Sequence, residues 1–125
     1  MKKLLAVLFF AAFAAQAQDY PSRAVRMVMP FAPGGPTDIV ARIVAERLAA
    51  RLGQGVVIEN RAGANGIIGT DHVAKSAPDG YTLLLAPTSH AINPSIYRKL
   101  PYDTLKDFAS VVYLGASTCM VIVVG

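Results

Sequence analysis

Two segments of the sequence combine glycines and short polar side chains where an α/β protein binds small ligands. Residues 33–38 read Pro-Gly-Gly-Pro-Thr-Asp and residues 88–93 read Thr-Ser-His-Ala-Ile-Asn, and each segment follows an apolar stretch. Ligands of open α/β sheets bind beyond the carboxyl ends of strands, where the N–H groups of helix starts favour anions. The candidate ligand-binding residues are therefore Pro33, Gly34, Gly35, Thr37, Asp38, Thr88, Ser89, His90 and Asn93.

Several of these residues also have a purely structural interpretation, and the sequence leaves both roles open. Thr37 can cap the helix that follows it. We favour a role for Asp38 at the positive end of that helix over a contact with a ligand cation or hydroxyl. The polar groups of residues 88–93 can instead satisfy the backbone of a turn. Asn93-Pro94 is suited to begin a helix.

Patterns for catalysis, metal or nucleotide binding are weak. Gly63, Gly66 and Gly69 do not have the G-x-G-x-x-G spacing, and no Gly-Lys-Ser/Thr follows them. His72 has no second histidine four residues later, so a metal site is unsupported. Ser89 and His90 are only neighbours in sequence, and the nucleophile pattern G-x-S-x-G does not occur. The residues predict binding without catalysis, and no cofactor or metal.

The hydrophobic periodicity predicts strands and helices in alternation. Residues 24–29 are nearly all apolar and predict a buried strand. A helix is predicted from Thr37 to a stop at Gly53, with one apolar face. On the opposite face, Arg42 and Glu46 have the spacing of an ion pair. The apolar face comprises Val40, Ile43, Val44, Leu48 and Leu52.

The same alternation continues through the rest of the chain. We expect a strand at residues 56–58, a helix at 67–76 and a strand at 81–86, then a short helix near 94–98 and apolar runs at 111–114 and 120–124. Residues 81–86 are apolar on both faces, which indicates that helices cover both sides of the sheet. The fold class is therefore α/β, with a doubly wound, mainly parallel sheet.

The first 17 residues have the three parts of an export signal. Lys2 and Lys3 give a positive start, residues 4–15 form an apolar run, and Ala15-Gln16-Ala17 is a small-x-small cleavage pattern. A membrane anchor is the alternative, but a span needs about 20 residues. The mature chain is predicted to begin at Gln18. We expect Cys119, the single cysteine, to be a small buried hydrophobic residue rather than a free thiol.

Charge excludes a nucleic-acid partner. The net charge of +4 includes Lys2 and Lys3, and without residues 1–17 it falls to +2. No basic block remains in the mature chain to contact a phosphate backbone.

Five motifs in order resemble the Bug family, the TctC-like periplasmic solute receptors of tripartite tricarboxylate transporters. They comprise residues 20–22, 30–38, 57–63, 77–84 and 93–108, the last group including Asn93-Pro94-Ser95-Ile96-Tyr97 and Leu100-Pro101-Tyr102-Asp103. Pro36 departs from the pattern, because glycine is frequent at that position in the family. The glycine placement in residues 62–69 also differs.

The resemblance implies a periplasmic binding protein of the type II-like, Venus-flytrap kind, with two lobes around a cleft. On this reading residues 1–17 are the signal peptide, 18–115 the first α/β lobe and 116–125 the start of a crossover strand, with the second lobe largely missing. It also implies capture of a small carboxylate or dicarboxylate in the periplasm, delivery to membrane permease subunits and a monomeric full-length protein. Residues 33–38 and 88–93 would be the first lobe's share of the pocket.

Two other functions remain open on the sequence. An α/β enzyme could act on a carboxylated or phosphorylated small molecule, with catalytic groups supplied by a missing half. A surface interaction module could instead pair the apolar run at residues 120–124 with another chain.

Overall fold

Three parallel strands and three helices build the part of the chain that the computed structural model describes, residues 20–115. The strands form one sheet in the order β2-β1-β3. This arrangement confirms the predicted α/β class with a parallel sheet. The elements are β1 (Val25–Met29), α1 (Pro36–Leu52), β2 (Val56–Asn60), a 3₁₀ turn (Ala64–Gly66), α2 (Ile67–Ala74), β3 (Thr82–Leu84) and α3 (Thr88–Ile96).

The central strand β1 is covered on both faces. Met27, Val28 and Met29 are at most 5% exposed, and successive side chains of a strand point to opposite faces. The crossover from β1 to β2 runs one way and that from β2 to β3 returns past β1. Since both crossovers are right-handed by rule, α1 and α2 pack on opposite faces, which is the doubly wound arrangement.

Helix α1 begins at Pro36, one residue before the predicted start, and ends at the predicted stop, but it buries a different face. Pro36 occupies its first turn, and Gly53 ends it in the left-handed region at φ 66°. The buried residues are Asp38, Ala41 and Ala45, whereas the predicted apolar face included Val40 and Ile43, which are 48% and 55% exposed. Alanines let the helix approach the sheet closely, so the larger side chains flank the contact.

The predicted pairing of Arg42 with Glu46 is also wrong. Arg42 turns toward the start of α1 instead and forms an ion pair with Asp38 at 2.9 Å. A buried carboxylate attracts the guanidinium more strongly than an exposed one does, because solvent screens it less.

Helix α2 packs its glycine against the end of β1. A Cβ on Gly69 would lie 2.8 Å from the Arg61 carbonyl oxygen and 3.0 Å from Pro30 Cα. The helix begins at Ile67 as predicted and ends at Ala74, two residues before the predicted end. No helix within residues 20–115 is both long and apolar enough to span a bilayer.

The carboxyl-terminal third differs most from expectation. Residues 88–93, predicted as a loop, form the first turns of α3, and Pro94 lies inside this helix rather than at its start. Proline removes a backbone hydrogen bond from a helix interior, and α3 ends at Ile96, short of the predicted residue 98. Residues 111–114 form no strand and are half or more exposed. The run at 120–124 lies outside the described residues.

Candidate functional site

The segments that follow the three strands meet at one edge of the sheet. Met29 pairs with Asn60, and Val28 with Leu84, so all three strands end at a similar level. A Cβ placed on Gly66, after β2, would lie 3.4 Å from Pro30 Cβ, after β1, and 3.6 Å from Ser89 Oγ, after β3. Pro30, three residues before the first predicted ligand segment, and Ser89, in the second, therefore lie on either side of Gly66 at the same edge of the sheet.

The first segment offers open backbone. Pro33 and Gly34 are exposed and Gly35 is half-buried. Nothing lies within 4 Å of a Cβ built on Gly34 or Gly35, and Gly34 has φ +89°. Thr37 is exposed in the first turn of α1, where N–H groups have no intrahelical partner. A small anion can approach this backbone without steric hindrance.

Asp38 lies beneath that loop and is 3% exposed. Its Oδ2 accepts hydrogen bonds from Gly34 N at 3.1 Å and Arg42 Nε at 2.9 Å. Its Oδ1 accepts one from Asn60 Nδ2 at 3.0 Å. The hydrogen bonds from Asn60, Arg42 and Gly34 lower the pKa of Asp38 from 3.8 to about 2. Asp38 is thus a charged acceptor that protein groups already engage.

In the second segment the Ser89 hydroxyl lies next to Gly66, at the edge where the strands end. Thr88 is exposed. Ser89 Oγ is buried and has no hydrogen-bond partner among residues 20–115. A buried hydroxyl without a partner is costly, so Ser89 has a donor and acceptor to offer an incoming polar group.

His90 faces a different neighbour. Its ring stacks with Tyr102 at 6.0 Å and meets Phe108 edge-on at 4.9 Å. Burial lowers the pKa of His90, and a hydrogen bond with the Thr104 backbone partly opposes that shift. These contacts connect α3 to residues 102–108.

Asn93 is 1% exposed and links α3 to the loop after β2. Its Oδ1 accepts from Asn65 Nδ2 at 2.8 Å, and its Nδ2 donates to the Asn65 carbonyl at 3.2 Å. Asn65 itself adopts φ 52°, a conformation that asparagine tolerates better than most residues.

Sequence reasoning missed Asn60, which bonds Phe31 and Asp38, and Asn65, which bonds Asn93. For Asn60, the available signal was its position as an amide residue at the end of an apolar strand. The Asn65-Gly66 pair, a turn dipeptide, was the other.

Two grooves lie away from this edge. One, of about 460 Å³, runs between α1 and β2, and the other, of about 280 Å³, lies beside Arg23 and Tyr81. Neither is lined by a predicted ligand residue. Within residues 20–115 no three His, Cys, Asp or Glu side chains are grouped to hold a metal ion.

Residues 40–125 match the family model described as "Tripartite tricarboxylate transporter family receptor", TctC. The chain belongs to the TctC family. This confirms the resemblance that the sequence motifs carry. The TctC-family chain is also 48% identical over 123 residues to Protein BugT of Bordetella pertussis, which covers 92% of this chain and 38% of that protein.

Solved structures agree with the fold of this TctC-family chain. A structure described as the periplasmic binding protein BugD is 49% identical, with a TM-score of 0.69, and the match covers 71% of this chain and 30% of that one. MatC from Rhodopseudomonas palustris, solved with bound malate, is 44% identical with a TM-score of 0.68, over 71% of this chain and 31% of that one. The TctC-family chain thus spans less than two fifths of the length of these relatives.

Proposed function

We propose that the protein is an extracytoplasmic receptor that captures a small carboxylate or dicarboxylate for a tripartite tricarboxylate-type transporter. Its partners are the organic acid and the membrane permease subunits, and it acts as a monomer. Capture needs no cofactor and leaves the acid unchanged. Membership of the receptor family supports this proposal.

The observation that carries the proposal is that β1 and β3 end at the same edge of the sheet, where the segments that lead into α1 and α3 begin. Exposed Gly34 precedes α1, and Ser89 lies in the first turn of α3 with a hydroxyl that no other residue of the described range 20–115 binds. An anion at a helix start gains about 0.3–1 kcal/mol when exposed and up to about 2 kcal/mol when partly buried. Two such starts, with a hydroxyl and open backbone, suit a carboxylate.

The predicted ligand residues divide into two groups on this proposal. Pro33 and Gly34 line the site, and the Gly35 N–H and the side chains of Thr37, Thr88 and Ser89 contact the acid, because the Gly34 N–H already donates to Asp38. The other group supports the pocket without contacting the acid, because each of its side chains bonds or packs against protein groups; it comprises Asp38, His90 and Asn93. A second lobe closes over these residues and excludes water, which strengthens the contacts.

The chain's parts follow from the same proposal. Residues 1–17 form a signal peptide that is cleaved before Gln18, so the protein acts in the periplasm. Residues 18–115 are the first lobe, and 116–125 begin the crossover to the second. The periplasmic description of BugD supports this location. The malate bound to MatC supports a dicarboxylate as the solute.

A solute screen of the complete protein tests the function. Thermal-shift assays with malate, longer dicarboxylates, amino acids and aromatic acids should show stabilisation by one class of acid, which calorimetry then confirms. Matched amides and inorganic phosphate are the controls, since they test the need for the carboxylate charge. The recovered acid should be chemically unchanged by NMR. Stabilisation by none of these acids, or turnover of the bound one, would overturn the proposal.

A further inference from the structure

Asn60 holds two parts of the chain at once through one amide nitrogen. As the last residue of β2 it pairs with Met29, the last residue of β1. Its Nδ2 donates to the Phe31 carbonyl at 3.1 Å and to Asp38 Oδ1 at 3.0 Å. Asn60 therefore ties the end of β2 both to the start of the ligand loop, residues 31–35, and to α1.

Asp38 fixes the far side of the same loop. Its carboxylate accepts from the Gly34 amide at 3.1 Å, one residue before the cap of α1 at Gly35. An acidic residue in the first turn that reaches back to the cap residue is a capping box. Here the bond reaches one residue further, so it restrains the loop rather than the helix start.

Packing cannot supply this restraint. Gly34 is exposed, and a Cβ at Gly34 or Gly35 would touch nothing within 4 Å. Glycine also has the greatest backbone freedom of any residue. The loop is consequently held at Phe31 and Gly34 by hydrogen bonds that converge on the Asn60–Asp38 pair.

Arg42 keeps the carboxylate of Asp38 charged and oriented. Its Nε donates to Oδ2 at 2.9 Å and its Nη2 to Oδ1 at 3.4 Å. The Arg42 side chain is 58% exposed, while the Asp38 side chain is 4% exposed. A charge buried to this extent needs such a partner.

We propose that Asn60 is the positioning residue of the ligand loop, acting through Asp38 and the Phe31 carbonyl to set the direction in which the Gly34 and Gly35 backbone faces the solute. The expected effect on solute binding rests on the proposed function. The dependence of the loop conformation on Asn60 can be measured without any solute.

The experiment compares Asn60→Ala with Gln54→Ala in the complete protein. Gln54 is an amide residue just before the amino end of the same strand, so it controls for loss of an amide near β2. In Asn60→Ala the Gly34 amide proton should shift and exchange faster by NMR, while Gln54→Ala should leave it unchanged.

Malate serves as the solute probe. Its affinity should fall about 10-fold in Asn60→Ala, the effect of losing a hydrogen bond worth about 1.4 kcal/mol.

Asn60→Asp provides a second test, because its effect should depend on pH whereas that of Asn60→Ala should not. It places a carboxylate where an amide nitrogen now lies 3.0 Å from Asp38 Oδ1. Two adjacent carboxylates raise one pKa, so a proton is shared as the pH falls. The affinity relative to wild type should be low at neutral pH and recover in mild acid.

The outcomes separate the two proposals. An unchanged Gly34 amide in Asn60→Ala, or an Asn60→Asp affinity ratio that stays flat with pH, would overturn the positioning role. If the wild-type protein bound no organic acid while the Gly34 amide still depended on Asn60, the proposed function would fail and the positioning of the loop would stand.

Discussion

Two hydroxyl groups are the side-chain hydrogen-bond donors of the predicted pocket that we expect to contact an acid most directly. Thr37 is exposed at the start of α1, and Ser89 Oγ is buried without a protein partner within residues 20–115. Asp38, by contrast, has both carboxylate oxygens engaged. On the proposed function, hydroxyl and backbone donors would select for an anion, while the buried Asp38 carboxylate is paired with Arg42.

Removal of either hydroxyl should weaken solute binding. We expect Thr37→Ala and Ser89→Ala in the complete protein each to reduce the affinity for the acid found in the screen by about 1 kcal/mol, the usual worth of a hydrogen bond. Ser95→Ala, at an exposed serine near the far end of α3, is the matched control. Unchanged affinities in calorimetry for both variants would remove these residues from the pocket.

At the scale of elements, the packing of α2 against the segment after β1 shapes the sheet edge at which the three strands end. Gly69 sits against the Arg61 carbonyl and Pro30, both of which belong to segments that leave the sheet at that edge. Backbone atoms on both sides leave little room to relax. Gly66, three residues before Gly69, approaches the same Pro30 and also Ser89.

Gly69→Ala should destabilise the fold. The added methyl group would lie 2.8 Å from a backbone carbonyl oxygen, and overpacking of this kind costs about 1–3 kcal/mol. Gly55→Ala is the control, because its Cβ would meet only Ala24 Cβ at an ordinary 3.9 Å. Chemical denaturation of both variants measures the difference. Equal stability of the two would show that α2 can shift away from β1.

The sequence predicts the order of strands and helices correctly where that order depends on local chemistry. The stop at Gly53 and the alternation of strands and helices follow from backbone conformation and periodicity, which neighbouring residues determine. The buried face of α1 and the helical state of residues 88–93 were predicted incorrectly. Both depend on the surface that the sheet presents, which the local sequence does not contain.

At the scale of the whole molecule, an aromatic cluster of His90, Tyr102 and Phe108 connects the first turn of α3 to residues 102–108. Tyr102 and Phe108 also meet edge-on at 5.8 Å. His90 follows Ser89 directly, so a change in this cluster reaches the start of α3. The neutral ring suits its setting, because burial disfavours the charged form.

Stability should therefore depend on pH through His90. Its pKa is lower in the folded protein than the unfolded value of 6.5, so the unfolded state takes up the proton more readily. The contribution is complete above pH 6.5 and declines as the pH falls below it. His90→Phe keeps an aromatic ring but removes the titration. Its unfolding free energy should vary less than that of wild type between about pH 7 and pH 5. Parallel pH profiles would contradict this assignment.

The sequence by itself determined the α/β class and the receptor family, because strand periodicity, glycine turns and ordered motifs are local properties of the chain. The two ligand segments that it indicates stay a prediction. Only the tertiary structure showed that Asn60 joins Asp38 and Phe31, that Asn65 joins Asn93, and that alanines rather than larger residues face the sheet from α1. These contacts join residues up to 29 positions apart. Their partners are set by strand order and register, which arise when the whole sheet assembles.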